Sequence, residues 1–338
     1  MSILFSSLYH INHELSSVDP IEFNNNNTDL LEYTQRLILD IKSNPNKRKF
    51  DFSSNNTEVR VNIDKFIDND FDTASLSNAN RLLRIEKLAQ TNVDKLSIEL
   101  QKGSFFQAVL AENGLFQIVL SKAEHKAFLD ETDIKRHAGL PWEKKIFKAA
   151  IIEADSHHQI QSIFVFDTNP IMAKYWWRDF LELKERITDT VNTKNVFLTL
   201  ERQIFNPLNI KAPADHILLK NSSLQYFLSN TEFNFSDFYQ QVFEKYDPIS
   251  PEYFELNIPE RFEKIKKEKS FDTKFTIVKE EIKSKVRTKI RLSDDIELIL
   301  LDAIDELRAV IRGGKELDGK KYIKIYSDTG YEVFKEKE

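Results

Sequence analysis

Asn113-Gly114 lies between two apolar runs, Phe105–Ala111 and Leu115–Leu120. An Asn-Gly pair supplies the positive φ angles of a tight two-residue turn, so it commits its flanks to an antiparallel hairpin. A second pair of runs, Ile146–Ile152 and Ile160–Phe166, is joined across Asp155-Ser156-His157-His158. These four runs predict antiparallel strands, with an earlier strand at Ile3–Leu8. A helix is expected from Thr28 or Asp29 to about Lys42, with Leu30, Leu31, Tyr33, Leu37, Ile38 and Ile41 on its apolar side. A longer one is expected from about Ser77 to Leu100. Ser43–Lys49 reads as a loop with three consecutive cations, Lys47, Arg48 and Lys49, and residues 53–80 as polar and Asn-rich, with only short apolar pieces. Residues 1–169 are thus expected to form an N-terminal α+β domain.

After Pro170 the period changes. Helices are expected at Ile171–Arg186, Thr193–Phe205, Asp215–Leu228, Ser236–Tyr246, Ser250–Lys269 and Thr273–Lys283, punctuated by Pro207, Pro213 and Pro248. Residues 170–338 form the second expected domain. The fold class is therefore α+β, with a strand-rich N-terminal half and a helical C-terminal half ending in a small mixed sheet.

That ending is the stretch Ile282–Tyr326. Lys285, Arg287, Lys289 and Arg291 alternate with Val286, Thr288, Ile290 and Leu292. Period-two alternation predicts a strand with a cationic face and a core face. Ser293-Asp294-Asp295 reads as a turn and Ile296–Leu301 as the return strand. A helix over Ala303–Arg312 is expected to end at Gly313-Gly314, and Asp318-Gly319 to turn the chain into a last strand, Lys321–Tyr326.

The 41% apolar and 30% charged shares are those of a soluble globular chain of 338 residues. Its formal charge of −6 is unevenly spread. Residues 264–291 carry eleven Lys or Arg against four Asp or Glu, a local net of +7, which leaves −13 elsewhere. Such a layout suits one localised anion-binding face. From charge pattern alone, the candidate DNA-binding residues are Lys279, Lys283, Lys285, Arg287, Lys289 and Arg291, with Lys47, Arg48 and Lys49 as a second cluster. The absence of cysteine removes disulfides, thiolate nucleophiles and Cys-ligated metals, and it fits a reducing cytosol. Met1–Ser17 lacks the pattern of a signal peptide, and no stretch is apolar for long enough to suggest a membrane span.

Catalytic signatures are sparse. Asp40-Ile41-Lys42, Asp133-Ile134-Lys135 and Glu281-Ile282-Lys283 match the acid-x-Lys tripeptide of Mg²⁺ nucleases, but the first and third fall in expected helices. His157-His158, with Asp155 and Asp167, is expected to be a hairpin turn rather than a metal site. Tyr175-Trp176-Trp177-Arg178 could stack on bases, yet its spacing predicts a core stripe. The Phe-rich run from Phe227 to Phe254 predicts core or a dimer surface. With seven glycines and no phosphate-cradling loop, nucleotide binding through backbone amides is not expected. No catalytic residue, metal or cofactor is predicted.

The order VKEEIKSKVRTKIRLSDDIELIL, a short segment ending in GG, then DGKKYIKIY resembles the C-terminal end of the bacterial nucleoid-associated protein family, the NdpA/YejK-like proteins with a Bacteroidetes branch. Ala173–Leu183, Asn192-Thr193, Asp215–Leu219 and Leu224–Phe227 follow the same order, and Gly114–Val119, Lys144–Phe147 and Val165–Asn169 fit the preceding strands. The resemblance spans roughly 103–334. It implies a non-enzymatic, cytoplasmic, nucleoid-located homodimer that binds double-stranded DNA, with a link to topoisomerases. Two other readings are an Mg²⁺-dependent nuclease or anti-phage effector, and an adaptor that binds protein through the Phe-rich helices and never touches DNA.

Overall fold

A computed structural model of the chain describes residues 2–22, 28–44, 47–93, 103–129, 136–140, 147–169, 172–268, 270–283 and 285–336. The fold is α+β, and the chain divides into two compact units: Met1–Thr188 with Asp272–Lys274, and Asp189–Phe271 with Phe275–Glu338.

In the first unit, the elements in order are β1 (Ser2–Asn12), β2 (Ser17–Ile21), α1 (Thr28–Ser43), β3 (Arg48–Phe52), α2 (Glu58–Ile67), α3 (Phe71–Val93), β4 (Gly103–Glu112), β5 (Leu115–Glu124), β6 (Lys126–Leu129), β7 (Arg136–Gly139), β8 (Phe147–Ala154), β9 (Ile160–Asp167) and β10 (Leu183–Glu185). Eight strands form one antiparallel sheet in the order β10-β3-β9-β8-β5-β4-β1-β2, and β6 pairs with β7. Asn113 and Gly114 both hold positive φ, 54° and 77°, and close β4 onto β5 with Glu112 opposite Leu115. Alternation then sorts the strands onto two buried faces. Phe105, Val109, Ile118, Leu120, Ile152 and Val165 pack with α2 and α3. Phe106, Leu110, Val119, Ile151 and Phe166 pack with Tyr33, Leu37, Ile38 and Ile41 of α1. Cover on both faces is why these strands read as unbroken apolar runs.

Three expectations in this unit are corrected. The polar stretch 53–80, in which no element is expected before Ser77, holds α2, capped by the Thr57 hydroxyl, which accepts from the Arg60 amide, and α3 begins at Phe71. The end of the long helix, 94–100, lies outside the described residues. The expected helix Ile171–Arg186 shrinks to a π-turn, Tyr175–Phe180, in which the Leu181 amide donates to the Trp176 carbonyl at 3.0 Å. Glu182 then takes φ 53°, which bends the chain so that β10 pairs with β3. Trp176 and Phe180 are fully buried in the sheet's core, so the unit extends to Thr188 rather than ending at residue 169.

The second unit contains α4 (Asp189–Leu200), a π-turn (Glu201–Phe205), α5 (Asn206–Lys211), α6 (Pro213–Ser229), β11 (Glu232–Asn234), α7 (Phe235–Tyr239), a π-turn (Gln240–Glu244), a 3₁₀ turn (Pro251–Leu256), α8 (Ile258–Glu268), β12 (Lys274–Thr276) and α9 (Glu280–Lys283). After them come β13 (Thr288–Arg291), β14 (Glu297–Leu300), α10 (Leu307–Val310), β15 (Ile311–Lys315), β16 (Lys321–Ile325) and α11 (Asp328–Phe334). The helices expected at Ser250–Lys269 and Thr273–Lys283 are both interrupted. Asn257, at φ 44°, separates the 3₁₀ turn from α8, and β12 precedes the short α9. Phe227, Phe233, Phe238 and Phe262 interlock at ring separations of 5.5–6.3 Å and are almost wholly buried. The run expected to be core or a dimer surface is thus the core of a single chain, apart from Phe254, which is 71% exposed.

The C-terminal unit also differs in detail. Gly313-Gly314 caps no helix; it lies inside β15, opposite Ile323 and Tyr322. Only Leu307–Val310 of the expected helix is α-helical. In place of one mixed sheet there are two antiparallel ribbons, β13–β14 and β15–β16.

Candidate nucleic-acid interface

Lys289 and Arg291 lie in β13, and the alternation that places them begins upstream, at Lys285. Val286 is buried, and Thr288 and Ile290 are half-buried, whereas Lys285, Arg287, Lys289 and Arg291 are all exposed. Pairing of Thr288 with Leu300 and Ile290 with Leu298 anchors the inward side. The alternation ends one residue early, since Leu292 is 39% exposed where the core face would continue. The expected four-cation strand is shorter than its alternation: Lys285 sits in a turn, its amide donating to the Ile282 carbonyl at 2.8 Å, and Arg287 precedes β13, so only Lys289 and Arg291 repeat at the about 6.5–7 Å of twice the rise per residue.

The row is partly occupied by carboxylates. Lys289 lies 3.4 Å from Glu297, and Arg291 lies 2.6 Å from Asp294 while donating from Nε to the Ser293 carbonyl at 3.2 Å. Lys285 and Arg287 have no carboxylate partner among the described residues. Upstream the set divides. Lys283, 68% exposed, sits 3.7 Å from Glu280 on α9. Lys279 is half-buried and donates to the Leu228 carbonyl near the C-terminus of α6, where the helix dipole favours a cation. That donation makes Lys279 a helix-end cap, not a free surface charge.

The second cationic cluster is not an exposed loop. Arg48 opens β3 at 6% exposure; its guanidinium lies 3.0 Å from Glu185 and 3.5 Å from Asp272 and donates to the Ile187 carbonyl. The Lys49 amide donates to Asp272. The Lys47 ammonium reaches the Lys42 carbonyl over the Phe164 ring, and burial, with Glu153 opposing and Lys42 adding, lowers its pKa. Arg48 therefore holds an edge of the sheet together.

A buried ionic network in the first unit is the feature that sequence reasoning missed. The register sets Lys122 opposite Lys148, and Lys148 opposite Asp167, on three adjacent strands. Two lysines directly opposed destabilise a sheet unless anions separate them. Glu86, from α3, pairs with Lys122 and lies 2.8 Å from the His13 ring; Glu124 pairs with Lys148. Asp167 accepts from the Asn169 and Ala173 amides at 2.9 and 3.1 Å. The Tyr175 ring sits 5.9 Å from the Lys122 ammonium and 6.0 Å from that of Lys148. Burial pushes the Asp167 carboxyl up, against Lys148. It would do the same to Glu86, but Lys122 and His13 outweigh it and hold that carboxyl below its usual range. Gly103 makes room for the network, since a Cβ there would lie 2.4 Å from the Ala123 carbonyl oxygen and 3.2 Å from Lys122 Cε. Each carboxylate is engaged by a lysine or a main-chain amide, so the set is closed upon itself.

The remaining motifs do not assemble. Asp40 and Lys42 lie on α1, with Lys42 paired to Glu112 at 2.5 Å, and Glu281 lies on α9; Asp133 falls outside the described residues. His158 turns at φ 61° to meet Asp64 and Asp68 at 2.9 and 3.1 Å, while His157 is exposed. Among the described residues no group of three or more His, Asp or Glu is placed to hold a metal ion, and no helix is long and apolar enough to cross a membrane. Comparison with protein-family models and with curated proteins finds no match.

Proposed function

We propose that the protein binds double-stranded DNA through its backbone phosphates, without catalysis, as a nucleoid-associated protein of the bacterial cytoplasm. What supports this reading is the run of exposed cations over residues 285–291, of which Lys289 and Arg291 lie on β13, whose other side is anchored in its unit. Phosphate contacts give affinity without sequence information, so no recognition helix is needed. The carboxylates beside Lys289 and Arg291 do not preclude it. Exposed ion pairs contribute only about 0–1 kcal/mol, so a phosphate can replace Glu297 or Asp294 at little cost. The homodimer and the topoisomerase partner rest on the sequence resemblance alone. Gel shifts on duplex DNA, single-stranded DNA and RNA across several salt concentrations test the proposal, which expects salt-sensitive retention of duplex regardless of sequence.

A second reading, a protein-binding adaptor, cannot use the Phe-rich helices, whose rings are buried in the core, and draws instead on α11. None of its residues is buried, and Tyr331, Val333 and Phe334 are 64%, 70% and 85% exposed. Absence of all DNA retention at low salt favours that reading.

A further inference from the structure

The β15–β16 ribbon has little core of its own. Every residue of β16 is exposed, and β15 contributes only half-buried Ile311 and Gly314. Two isolated strands are marginal in water, and this pair is burdened further by charge. Residues 311–326 hold five cations, Arg312, Lys315, Lys320, Lys321 and Lys324, against Glu316 and Asp318, a net of +3.

Register makes the burden specific. Directly opposed residues in an antiparallel pair share a face. Arg312 is opposite Lys324 on one face, and Lys315 is opposite Lys321 on the other, so both fully charged cross-strand pairs unite like charges. Among the described residues none of these four cations has a carboxylate within 4 Å; Asp318, at the turn, lies 3.9 Å from Lys320 instead. The first face also carries aromatic rings. Tyr326 lies 5.7 Å from the Arg312 guanidinium and 4.8 Å from the Lys324 ammonium. Tyr322 lies flat on Gly314, where a Cβ would come within 2.3 Å of its ring, and remains 46% exposed.

We infer that this ribbon is a second DNA-contacting element, which enters the major groove of a duplex and sets its opposed cation pairs against phosphates. The inference rests on the DNA-binding reading above. An anion between Arg312 and Lys324, and another between Lys315 and Lys321, converts two repulsive pairs into bridges. A second copy adding its β16 to this one does not do that, because such pairing brings Lys321 and Lys324 against the same two cations. Size fits as well, since a groove about 12 Å wide admits a two-stranded ribbon.

The test uses the full chain and a short mixed-sequence duplex. Arg312→Gln with Lys324→Gln, and separately Lys315→Gln with Lys321→Gln, should each flatten the salt dependence of log affinity by about 0.9, the share of the one phosphate each pair bridges. Neither pair should lower the melting temperature, since each removes a repulsion. Dimethyl sulfate should methylate guanine N7, in the major groove, less in the complex than in free DNA, and adenine N3, in the minor groove, equally in both. Retention of wild type with unchanged slopes for both variants and unprotected N7 overturns the ribbon's role and leaves the proposed function intact. No retention of wild type even at the lowest salt overturns both. Loss of self-association in the ribbon variants, without a change in slope, makes the ribbon an interface between copies and overturns the inference.

Discussion

Arg261 on α8 donates to the carbonyl of Gln203 at 3.0 Å, and that carbonyl is the one an ordinary helix would give to the amide of residue 207. Residue 207 is proline and has no amide hydrogen. The helix that begins as α4 loosens into a π-turn over Glu201–Phe205, with the Asn206 amide donating to the Glu201 carbonyl, and resumes as α5. Arg261 thereby satisfies the orphan carbonyl and, through Nε, the Leu256 carbonyl at 2.7 Å. An unsatisfied buried acceptor costs about 1–3 kcal/mol. Arg261→Met should cost that much by denaturant unfolding, and Pro207→Ala in the same chain should return part of it by restoring a main-chain donor. A neutral Arg261→Met contradicts this assignment.

Glu86 and Lys122 are bound to each other's fate. Removing one member of a buried ion pair strands the other and costs about 3–5 kcal/mol. Lys122→Met should therefore be severely destabilising, and adding Glu86→Leu should recover much of the loss by making that side of the core apolar. If the double variant is no more stable than the single one, the network owes its presence to something other than mutual neutralisation.

Acid should weaken both units, each through a histidine. Burial, with His10 and Lys122 adding, holds His125 at about 4; burial and Lys220, against Glu201, hold His216 at about 4. Each ring stays neutral when folded and gains a proton when unfolded, over the interval between the usual histidine value and about 4. A depressed folded value contributes stability that is complete above about pH 6.5 and lost as pH falls toward 4. Melting temperatures taken from pH 7 to pH 4.5 should fall, and His216→Gln should flatten the fall for the second unit. An equally steep fall in that variant removes His216 as its cause.

Local chemistry made some of this fold legible. Asn113-Gly114 specified both the hairpin and its register, and the spacing of Tyr33, Leu37, Ile38 and Ile41 specified α1 and its buried side. The elements that were misread are those whose conformation is set by distant partners. Arg48 and Lys49 look like a basic loop until Glu185 and Asp272 neutralise one and cap the other. Leu183–Glu185 continues a helical pattern in sequence but completes a sheet edge in space. Lys122, Lys148 and Asp167 form a row only once three strands are in register. Gly313-Gly314 carries the signature of a helix end, yet Gly314 serves the Tyr322 ring across a ribbon. For the interface, the cationic alternation of residues 285–291 was visible, whereas the half-buried Lys279 was not distinguishable from its neighbours.

The salt dependence of duplex binding by the variant Lys285→Gln, Arg287→Gln, Lys289→Gln tests the central claim most directly. Each phosphate neutralised contributes about 0.9 to the slope of log affinity against log salt, so the triple variant should lose about 2–3 units of slope and weaken on all sequences alike. All three side chains are exposed, so its melting temperature should stay within a few degrees of wild type. A folded triple variant with the wild-type slope contradicts the claim, and the row is then a charged edge that keeps the strand from pairing with other chains.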